Sequence, residues 1–355
     1  KKTVIHNSGI SNTGDSGNQE ITTYSTDSNG NLLAKETSYQ FITNRAFDSS
    51  HNVLNQRIET YLDATKATLL DVQEVRNITF DTRGNALEQR IATFSDLEET
   101  KLLDITVIKN ENLDAQGNAG KTTILKYKAG SIDGELLAAY FIDATVIETS
   151  KFDLRGNALN QTVKKYSDTA MAALTETQTI VNSGYNFQDR VGHSSIITTN
   201  SKGEFVDRQE IDYSSYDQLG NVIDQTVKRF DQTDTLIDYK VIHNDYDDPL
   251  AARRGNATHT TINRYSSDTV LDDSTRIELQ EIYNKSFDNI GNVVNQEVYL
   301  YVAGKLAKKT VIHNSGISNT GDAANQEITT YSTESNDTLL GKETSYQFIN
   351  NKAID

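Results

Sequence analysis

The stretch that decides the fold is residues 73–94, which read QEVRNITFDTRGNALEQRIATF. Its centre, Phe80–Asn85, contains Asp81, whose carboxylate can accept backbone N–H groups, and Gly84, which can take a positive φ angle. This order is typical of a type I turn closed by a glycine bulge, a common connection between antiparallel strands. The stretch therefore predicts a β-hairpin.

The segments beside such turns alternate with a period of two. In residues 53–62, Leu54, Gln56 and Ile58 share one face, while the residues between them take the other. The segment before each turn ends at an Asn, with Ile or Val two positions earlier and Gln or Thr four positions earlier in most copies. This alternation predicts half-buried strands on both sides of each turn rather than helices.

The turn recurs along the whole chain. Its Asp–Gly pairs are Asp81 and Gly84, Asp114 and Gly117, Asp153 and Gly156, Asp217 and Gly220, and Asp288 and Gly291. Gly192 is interpreted as a degenerate copy. With related positions included, nine units of 28–39 residues make up a long period of 307 residues. The unequal spacing predicts loops of variable length on a common hairpin.

The end of the chain repeats its beginning. Residues 308–355 match residues 1–48 at 39 of 48 positions, so Gly321 takes the place of Gly14. We interpret residues 1–355 as one continuous repeat array whose long period restarts at residue 308. The expected partners are further copies of the repeat within a longer chain, together with lateral self-association between chains.

A column of amide side chains lies five residues after the turn position. Its glutamines are Gln19, Gln56, Gln89, Gln161, Gln225, Gln296 and Gln326. A buried amide must be hydrogen-bonded, and stacked units would place Gln near Gln, so the column predicts a structural amide ladder. A polar lining for a channel or a bound glycan is the alternative.

An aromatic stripe lies five residues further along, on the opposite face. It consists of Tyr24, Tyr61, Phe94, Tyr127, Tyr166, Phe230, Tyr265, Tyr301 and Tyr331. We expect these rings to stack between units. A surface that binds carbohydrate or a protein partner is the alternative.

Composition excludes several classes of protein. There is no Cys, which rules out disulfides, thiolate zinc sites and a cysteine nucleophile. The net charge of -16 argues against nucleic acid as a partner, and no apolar run approaches the length needed for membrane insertion. No nucleophile elbow, zincin helix or dinucleotide fingerprint is present, so we expect a non-enzymatic protein without a cofactor, although the Asp-rich turns could bind Ca²⁺ loosely.

The turn motif [FYL]-D-x-x-[GH]-N resembles the YD motif of the RHS/YD-repeat proteins, which are large secreted or surface proteins whose hairpins spiral into β-sheet shells. It occurs at Phe47–Asn52, Phe80–Asn85, Leu113–Asn118, Phe152–Asn157, Tyr216–Asn221 and Phe287–Asn292. The resemblance implies tandem β-hairpins and an extracellular or cell-surface location.

Together these features predict an all-β fold. An isolated hairpin is marginal in water, so tandem antiparallel β-hairpin repeats should associate into an elongated, coiled or tubular β-sheet or solenoid. Ala, Met and Leu within Asp168–Glu176 favour helix, so a helical turn inside that loop is an alternative that the sequence leaves open. The expected function is a structural segment of a giant tandem-repeat extracellular protein that forms a fibre, stalk or sheath. The alternatives are an adhesin or glycan-binding module and a hollow RHS-like shell around a cargo.

Overall fold

A computed structural model describes residues 1–27, 29–288, 291–317, 323–333, 339 and 341–351. These residues form 21 β-strands, one five-residue α-helix and one short 3-10 turn. The predicted all-β fold of tandem antiparallel hairpins is confirmed. The predicted turn at Gly321 lies outside the described residues. The chain divides into two compact units, residues 1–189 with 196–206, and residues 190–195 with 207–355.

In the first unit, each strand from β1 to β10 pairs antiparallel with the next strand in the chain. The strands are β1 (Lys2–Ile10), β2 (Ser16–Tyr24), β3 (Ser38–Phe47), β4 (Val53–Tyr61), β5 (Leu69–Phe80), β6 (Ala86–Phe94), β7 (Leu102–Leu113), β8 (Ala119–Tyr127), β9 (Phe141–Phe152), β10 (Ala158–Tyr166) and β11 (Leu174–Ser183). The 3-10 turn, Ala138–Tyr140, precedes β9.

The division between the units cuts both β12 (His193–Asn200) and β13 (Phe205–Tyr216), because residues 190–195 and 207–355 belong to the second unit and residues 196–206 to the first. In the second unit, each strand from β13 to β20 again pairs antiparallel with its successor. These strands are β14 (Val222–Phe230), β15 (Leu236–Asp245), β16 (His259–Tyr265), β17 (Arg276–Phe287), β18 (Val293–Val302), β19 (Lys305–Ile317), β20 (Ala323–Ser332) and β21 (Ser345–Asn350). Helix α1 (Pro249–Arg253) lies between β15 and β16.

The pairing register gives each sheet two different faces. In the β5–β6 hairpin, Val75 lies opposite Ile91 and Asn77 opposite Gln89. We call the side that carries these residues and their repeats the amide face. Because side chains alternate along a strand, the aromatic stripe takes the other side, the aromatic face. A tight turn fixes this register, and a one-residue slip would exchange the faces.

Most of the buried apolar side chains of the first unit lie on its aromatic face. Ala92, Ile105, Val107 and Tyr127 form a buried cluster. Partly buried apolar side chains from the loop between β8 and β9 pack against this cluster. Arg90 donates to two backbone carbonyls of the same loop, at 3.0 and 3.3 Å. The variable loop therefore folds back over the face and shields its apolar centre from water.

The first unit also makes a contact between loops that are far apart in sequence. The side-chain amide of Gln188, which follows β11, donates to the carbonyl and hydroxyl oxygens of Thr26, which follows β2, at 3.1 and 2.9 Å. Nine strands separate these two loops along the chain. The sheet of this unit therefore curls far enough for the turn after β11 to contact the loop after β2.

The helical turn that the sequence left open within Asp168–Glu176 does not form. Residues 168–173 form a loop in which Asp168 accepts the N–H groups of Ala172 and Ala173 and Met171 takes a φ of +56°. Met171 thus leaves the helical region, and β11 begins at Leu174. Local side-chain bonding by Asp competes with helix formation, which composition alone does not reveal.

Helix α1 was not predicted, although its start carries a recognisable signal. The carboxylate of Asp248 accepts the backbone N–H groups of Leu250 and Ala251 at 2.9 and 2.8 Å, and Pro249 occupies the first turn. An N-cap Asp followed by Pro is a typical helix start. Here the helix stands where other units have the tight Asp–Gly turn.

Candidate functional site

The repeated turn is held by its aspartate. The Oδ1 atom of Asp81 accepts the N–H groups of Arg83 and Asn85 at 2.8 and 2.9 Å, and Oδ2 accepts the side-chain amide of Asn85 at 2.9 Å. Gly84 has a φ of +84° and donates its N–H to the Asp81 carbonyl at 3.1 Å. The bonds from Asn85 and Arg83 lower the pKa of Asp81 to about 2.

The other predicted turns have the same geometry. Asp114, Asp153, Asp217 and Asp288 each accept the backbone and side-chain N–H groups of the Asn four residues later. Gly117, Gly156, Gly220 and Gly291 all have positive φ angles. The carboxylates are occupied by donors of their own turn, which is the bonding expected of turn-forming aspartates.

Successive turns of the first unit stack on one another. A Cβ atom added to Gly84 would lie 2.6 Å from Oδ1 of Asn52, in the preceding turn. The same test at Gly117 gives 3.2 Å to the asparagine before it. Arg83 extends the other way and donates to the carbonyl of Asp114 in the following turn at 2.7 Å. Glycine is needed at these positions both for positive φ and for close approach of the next turn.

Gly192 does not occupy the degenerate turn. The turn is centred on Asn186 and Asp189: the Asp189 N–H bonds to the Asn186 carbonyl at 3.1 Å, and Asp189 has a φ of +61°. The carbonyl of Gly192 instead accepts the N–H of Tyr213 at 2.9 Å. The interpretation of Gly192 as the turn position was therefore wrong, because Asp also tolerates positive φ and can replace Gly.

Most glutamines of the column form hydrogen bonds across their hairpins. Gln89 donates through Nε2 to Oδ1 of Asn77 at 2.6 Å, and Asn77 donates through Nδ2 to the carbonyl of Val53 at 2.7 Å. The two bonds connect three neighbouring strands, β6, β5 and β4. We call this arrangement the amide relay.

The relay recurs in both units. Gln19, Gln56, Gln296 and Gln326 donate to Asn7, Asn44, Asn284 and Asn314 at 2.8–2.9 Å. Thr122 and Thr260 make the same bond through their hydroxyl groups, to Asn110 and Asn244. Gln161 donates to Thr149 at 3.3 Å. Gln225 stands opposite Tyr213 in the register, at the position where other copies have an asparagine.

The partner of the glutamine is thus an asparagine on the adjacent strand, whereas the sequence predicted another glutamine. Column glutamines lie on every second strand, for example Gln56 on β4 and Gln89 on β6. Neighbouring strands are about 4.8 Å apart, so glutamines two strands apart are separated by roughly twice that distance. An intervening Asn closes the gap.

The aromatic stripe is packed into the body of each unit. Tyr61, Tyr127 and Tyr265 are buried, and the other six rings, Tyr24, Phe94, Tyr166, Phe230, Tyr301 and Tyr331, are half-buried. In the first unit, the Tyr39 and Tyr61 rings lie 6.3 Å apart, and those of Tyr127 and Phe141 lie 5.7 Å apart. In the second unit, the guanidinium of Arg208 lies 4.0 Å from the Phe230 ring centroid.

Hydroxyl groups of the stripe bond to glutamates beside them. The hydroxyl of Tyr61 donates to Glu59 at 2.6 Å, and that of Tyr301 donates to Glu281 at 3.0 Å. Burial, followed by these bonds to carboxylates, raises the pKa of each of the two tyrosines to about 12. The phenols are therefore protonated donors at neutral pH.

Buried carboxylates form ion pairs in both units, on the aromatic face at Glu74 and on the amide face at Asp238. In the first unit, Glu74 contacts Arg45 and Arg76 at 2.8 and 2.9 Å, and its side chain is only 4% exposed. In the second unit, the fully buried carboxylate of Asp238 contacts Arg229 and Arg264 at 2.8 and 3.0 Å. Sequence analysis missed both groups. In a chain with so many charged residues, nothing in the sequence distinguishes a buried carboxylate from one on the surface.

Two histidines of the second unit form hydrogen bonds with aspartates near the ends of their strands. His243 bonds through Nδ1 to Asp224 at 2.7 Å and through Nε2 to Asp245 at 3.2 Å. The bond to Asp224 raises the pKa of His243, and partial burial opposes this shift. His259 bonds to Asp245 at 3.1 Å and stacks on Tyr283, with the ring centroids 4.3 Å apart. Within the described ranges, no three His, Asp or Glu side chains are arranged to hold a metal ion.

No helix among the described residues has the length and apolar character required to span a membrane. Of the residues singled out in the sequence, the structure brings together those of the stacked turns, the amide relay and the packed rings. Their common chemistry is hydrogen bonding and packing from one strand to the next.

The comparisons with known proteins assign the chain to no family. No family model and no curated protein matches the chain. Among solved structures, it is similar to one titled "Crystal Structure of TcdB2-TccC3", at 10% identity over 96% of this chain and 25% of that one, with a TM-score of 0.17. A related structure, "Crystal Structure of TcdB2-TccC3-TEV", matches at 12% identity over 92% of this chain and 24% of that one, with a TM-score of 0.14. The chain spans about a quarter of these proteins, and such TM-scores do not establish a shared architecture.

Proposed function

We propose that this chain is a structural, non-enzymatic segment of a larger tandem-repeat protein at the cell surface or outside the cell. Its role is to form a fibre, stalk or sheath by association of hairpins. The single observation that supports this most is the amide relay, which bonds most hairpins to their predecessors by side chains as well as by backbone. Repeat proteins of this kind derive their stability from interfaces between neighbouring repeats.

The stacked turns support the same proposal. Arg83 bonds to the carbonyl of the following turn, and Gly84 lies against Asn52 of the preceding turn. Each hairpin of such a stack therefore depends on two neighbours, one on each side. The copy at residues 308–355 provides the means to continue the pattern, since it restarts the same strands.

The burial of the rings argues against a glycan-binding stripe. Tyr61, Tyr127 and Tyr265 are 5%, 6% and 8% exposed, so their ring faces are occupied by protein. A sugar would have to displace these contacts to reach them. Packing is therefore the function of the stripe that the geometry supports.

The test uses seamless concatemers in which residues 1–307 are repeated two, three and four times before a final residues 1–48. We expect the maximum dimension measured by small-angle X-ray scattering to increase by a constant amount for each added period. The control inserts a flexible Gly/Ser linker at each 307/308 junction, which should remove the constant increment. Compact particles, with dimensions that scale as those of a globule, would refute the proposal.

A further inference from the structure

A cross-strand pair of side chains lies beside the glutamine column at junctions between consecutive hairpins. It joins the residue before a column glutamine to the residue before the asparagine of the next strand. We call it the flanking pair. Since its two members belong to different hairpins, it contributes directly to the association of hairpins. Three junctions show different chemistry at this place: Glu88 with Lys109, Asp224 with His243, and Asn295 with His313.

The three flanking pairs differ in how their charge depends on pH. In the first pair, the lysine and the glutamate lie 3.7 Å apart, and such side chains carry opposite charges throughout the neutral range. In the third pair, Nδ1 of His313 bonds at 2.7 Å to an amide, which carries no charge at any pH. In the second pair, Asp224 and His243 combine a carboxylate with a ring of the type that titrates near neutrality. Of the three pairs, this one therefore changes its attraction most between about pH 6 and about pH 8.

Both ring nitrogens of His243 face carboxylate oxygens. Nδ1 lies 2.7 Å from Oδ1 of Asp224, and Nε2 lies 3.2 Å from Oδ1 of Asp245. A neutral imidazole has one N–H and one bare nitrogen, so it can donate to one of these oxygens and must turn a lone pair toward the other. An imidazolium donates to both. The geometry is therefore that of a protonated histidine.

The neighbouring strands supply the other groups that face this arrangement. From β16, His259 bonds to the second oxygen of Asp245 at 3.1 Å. From β13, the hydroxyl of Ser215 donates to the second oxygen of Asp224 at 2.6 Å. The bond to Asp224 raises the pKa of His243, partial burial opposes this shift, and the bond to Asp245 raises the pKa further.

We propose that Asp224, His243 and Asp245 form a pH-dependent clasp between the β13–β14 and β15–β16 hairpins, which holds when His243 is protonated and loosens when its ring is neutral. The folded pKa of His243 lies above the unfolded value of about 6.5. The stabilisation is therefore complete below about pH 6.5 and is lost as the pH rises through the folded pKa. The second unit thus holds these hairpins together more tightly in mildly acidic than in alkaline solution.

The first experiment follows the imidazole signals of His243 in the full chain by NMR, from about pH 5.5 to about pH 9. The titration midpoint should lie above the value of about 6.5 for an unperturbed histidine. In Asp224→Asn, which gives this junction the neutral partner found at Asn295, the midpoint should fall. A midpoint at or below about 6.5 in the parent chain overturns the proposal, and this measurement requires no variant.

The second experiment measures hydrogen exchange in β14 and β15, corrected for the intrinsic rate, at about pH 6 and about pH 8.5. Local opening should be about threefold more populated at the higher pH, a modest factor because Asp224 and His243 are each about half exposed. Strands β6 and β7, which are joined by Glu88 and Lys109, should show no such rise. An equal rise in both pairs of strands, or no rise in β14 and β15, refutes the proposal.

Three substitutions separate charge from structure. His243→Lys creates a permanently charged pair of the kind seen in the first unit, so exchange in β14 and β15 should be as slow at pH 8.5 as at pH 6. Asp224→Asn should remove most of the rise while leaving exchange at pH 8.5 near the parent rate. His313→Gln is the matched control and should leave the rise unchanged, because its partner is the neutral Asn295. A rise that persists in full in His243→Lys or Asp224→Asn overturns the proposal.

The clasp goes beyond the proposed function and fails separately from it. The amide relay carries no charge that changes between pH 6 and pH 8.5, so it continues to connect hairpins whether or not His243 is protonated. A flat pH profile in β14 and β15, together with concatemers whose length grows by a constant increment, would refute the clasp and leave the structural role standing.

Discussion

Replacing Asn77 by Ala should weaken three strands at once. Asn77 accepts from Gln89 at 2.6 Å and donates to the Val53 carbonyl at 2.7 Å, so the substitution removes two hydrogen bonds. Each such bond contributes about 1 kcal/mol net. Gln89 and Val53 are half-buried and can recover bonds to water, so the unsatisfied-group penalty is small. We expect a loss of about 2 kcal/mol.

The assay is native-state hydrogen exchange followed by mass spectrometry, because a tandem-repeat chain need not unfold in one step. A loss of about 2 kcal/mol corresponds to roughly 30-fold faster exchange through local opening in β4, β5 and β6. Strands β14 to β16, in the second unit, should exchange at the parent rate. Unchanged exchange in β4 to β6 would refute the relay as a source of stability.

Asn7→Ala is the matched control. Asn7 accepts from Gln19 at 2.9 Å, but it lies on the exposed strand β1, where its side chain has water on the outer side. Only one bond is removed there, and we expect a loss of about 1 kcal/mol or less. A larger effect at Asn7 than at Asn77 would contradict the reasoning from three connected strands.

Three further substitutions test the turns and the buried charges. Gly84→Ala should speed exchange in its hairpin more than Gly203→Ala, since both have positive φ but only the Cβ at residue 84 would strike the preceding turn; equal effects would refute turn stacking. Because the folded pKa of Asp81 is about 2, below its unfolded value of about 3.9, its stabilisation is present above about pH 4 and is lost as the pH falls toward 2. Exchange in that hairpin, corrected for the intrinsic rate, should rise over this range, and Asp81→Asn should flatten the profile; an unchanged profile would contradict the assignment. Asp238→Asn should cost about 3 kcal/mol by leaving the half-buried guanidinium groups of Arg229 and Arg264 without their buried counter-ion, whereas Asp234→Asn, at an exposed pair, should cost under about 1 kcal/mol; similar melting shifts for the two variants would refute the distinction.

The sequence predicts the hairpin well because the deciding information is local. Asp81 and Gly84 fix a tight turn, and the alternation on both sides is visible without knowing what the strands contact. The relay partner is not local. Asn77 and Gln89 become neighbours only because the turn and its bulge place them opposite each other.

A signal for this partnership exists in the chain nonetheless. In five copies the asparagine precedes the glutamine by 12 residues, as in Asn7 and Gln19 or Asn284 and Gln296. Comparing the spacing of the two columns would have paired them before any coordinates were known. The buried carboxylate of Asp238 offers no comparable signal, because its burial depends on arginines from two other strands.

The most direct test of the account is to separate one hairpin from its neighbours. A peptide of residues 69–94 contains β5, the turn and β6, including the bond between Asn77 and Gln89. We predict no stable strand structure for this peptide at 25 °C by far-UV circular dichroism, while the same residues exchange slowly in the intact chain. A peptide that folds alone, with amide protection equal to that in the intact chain, would contradict the claim that association stabilises the hairpins.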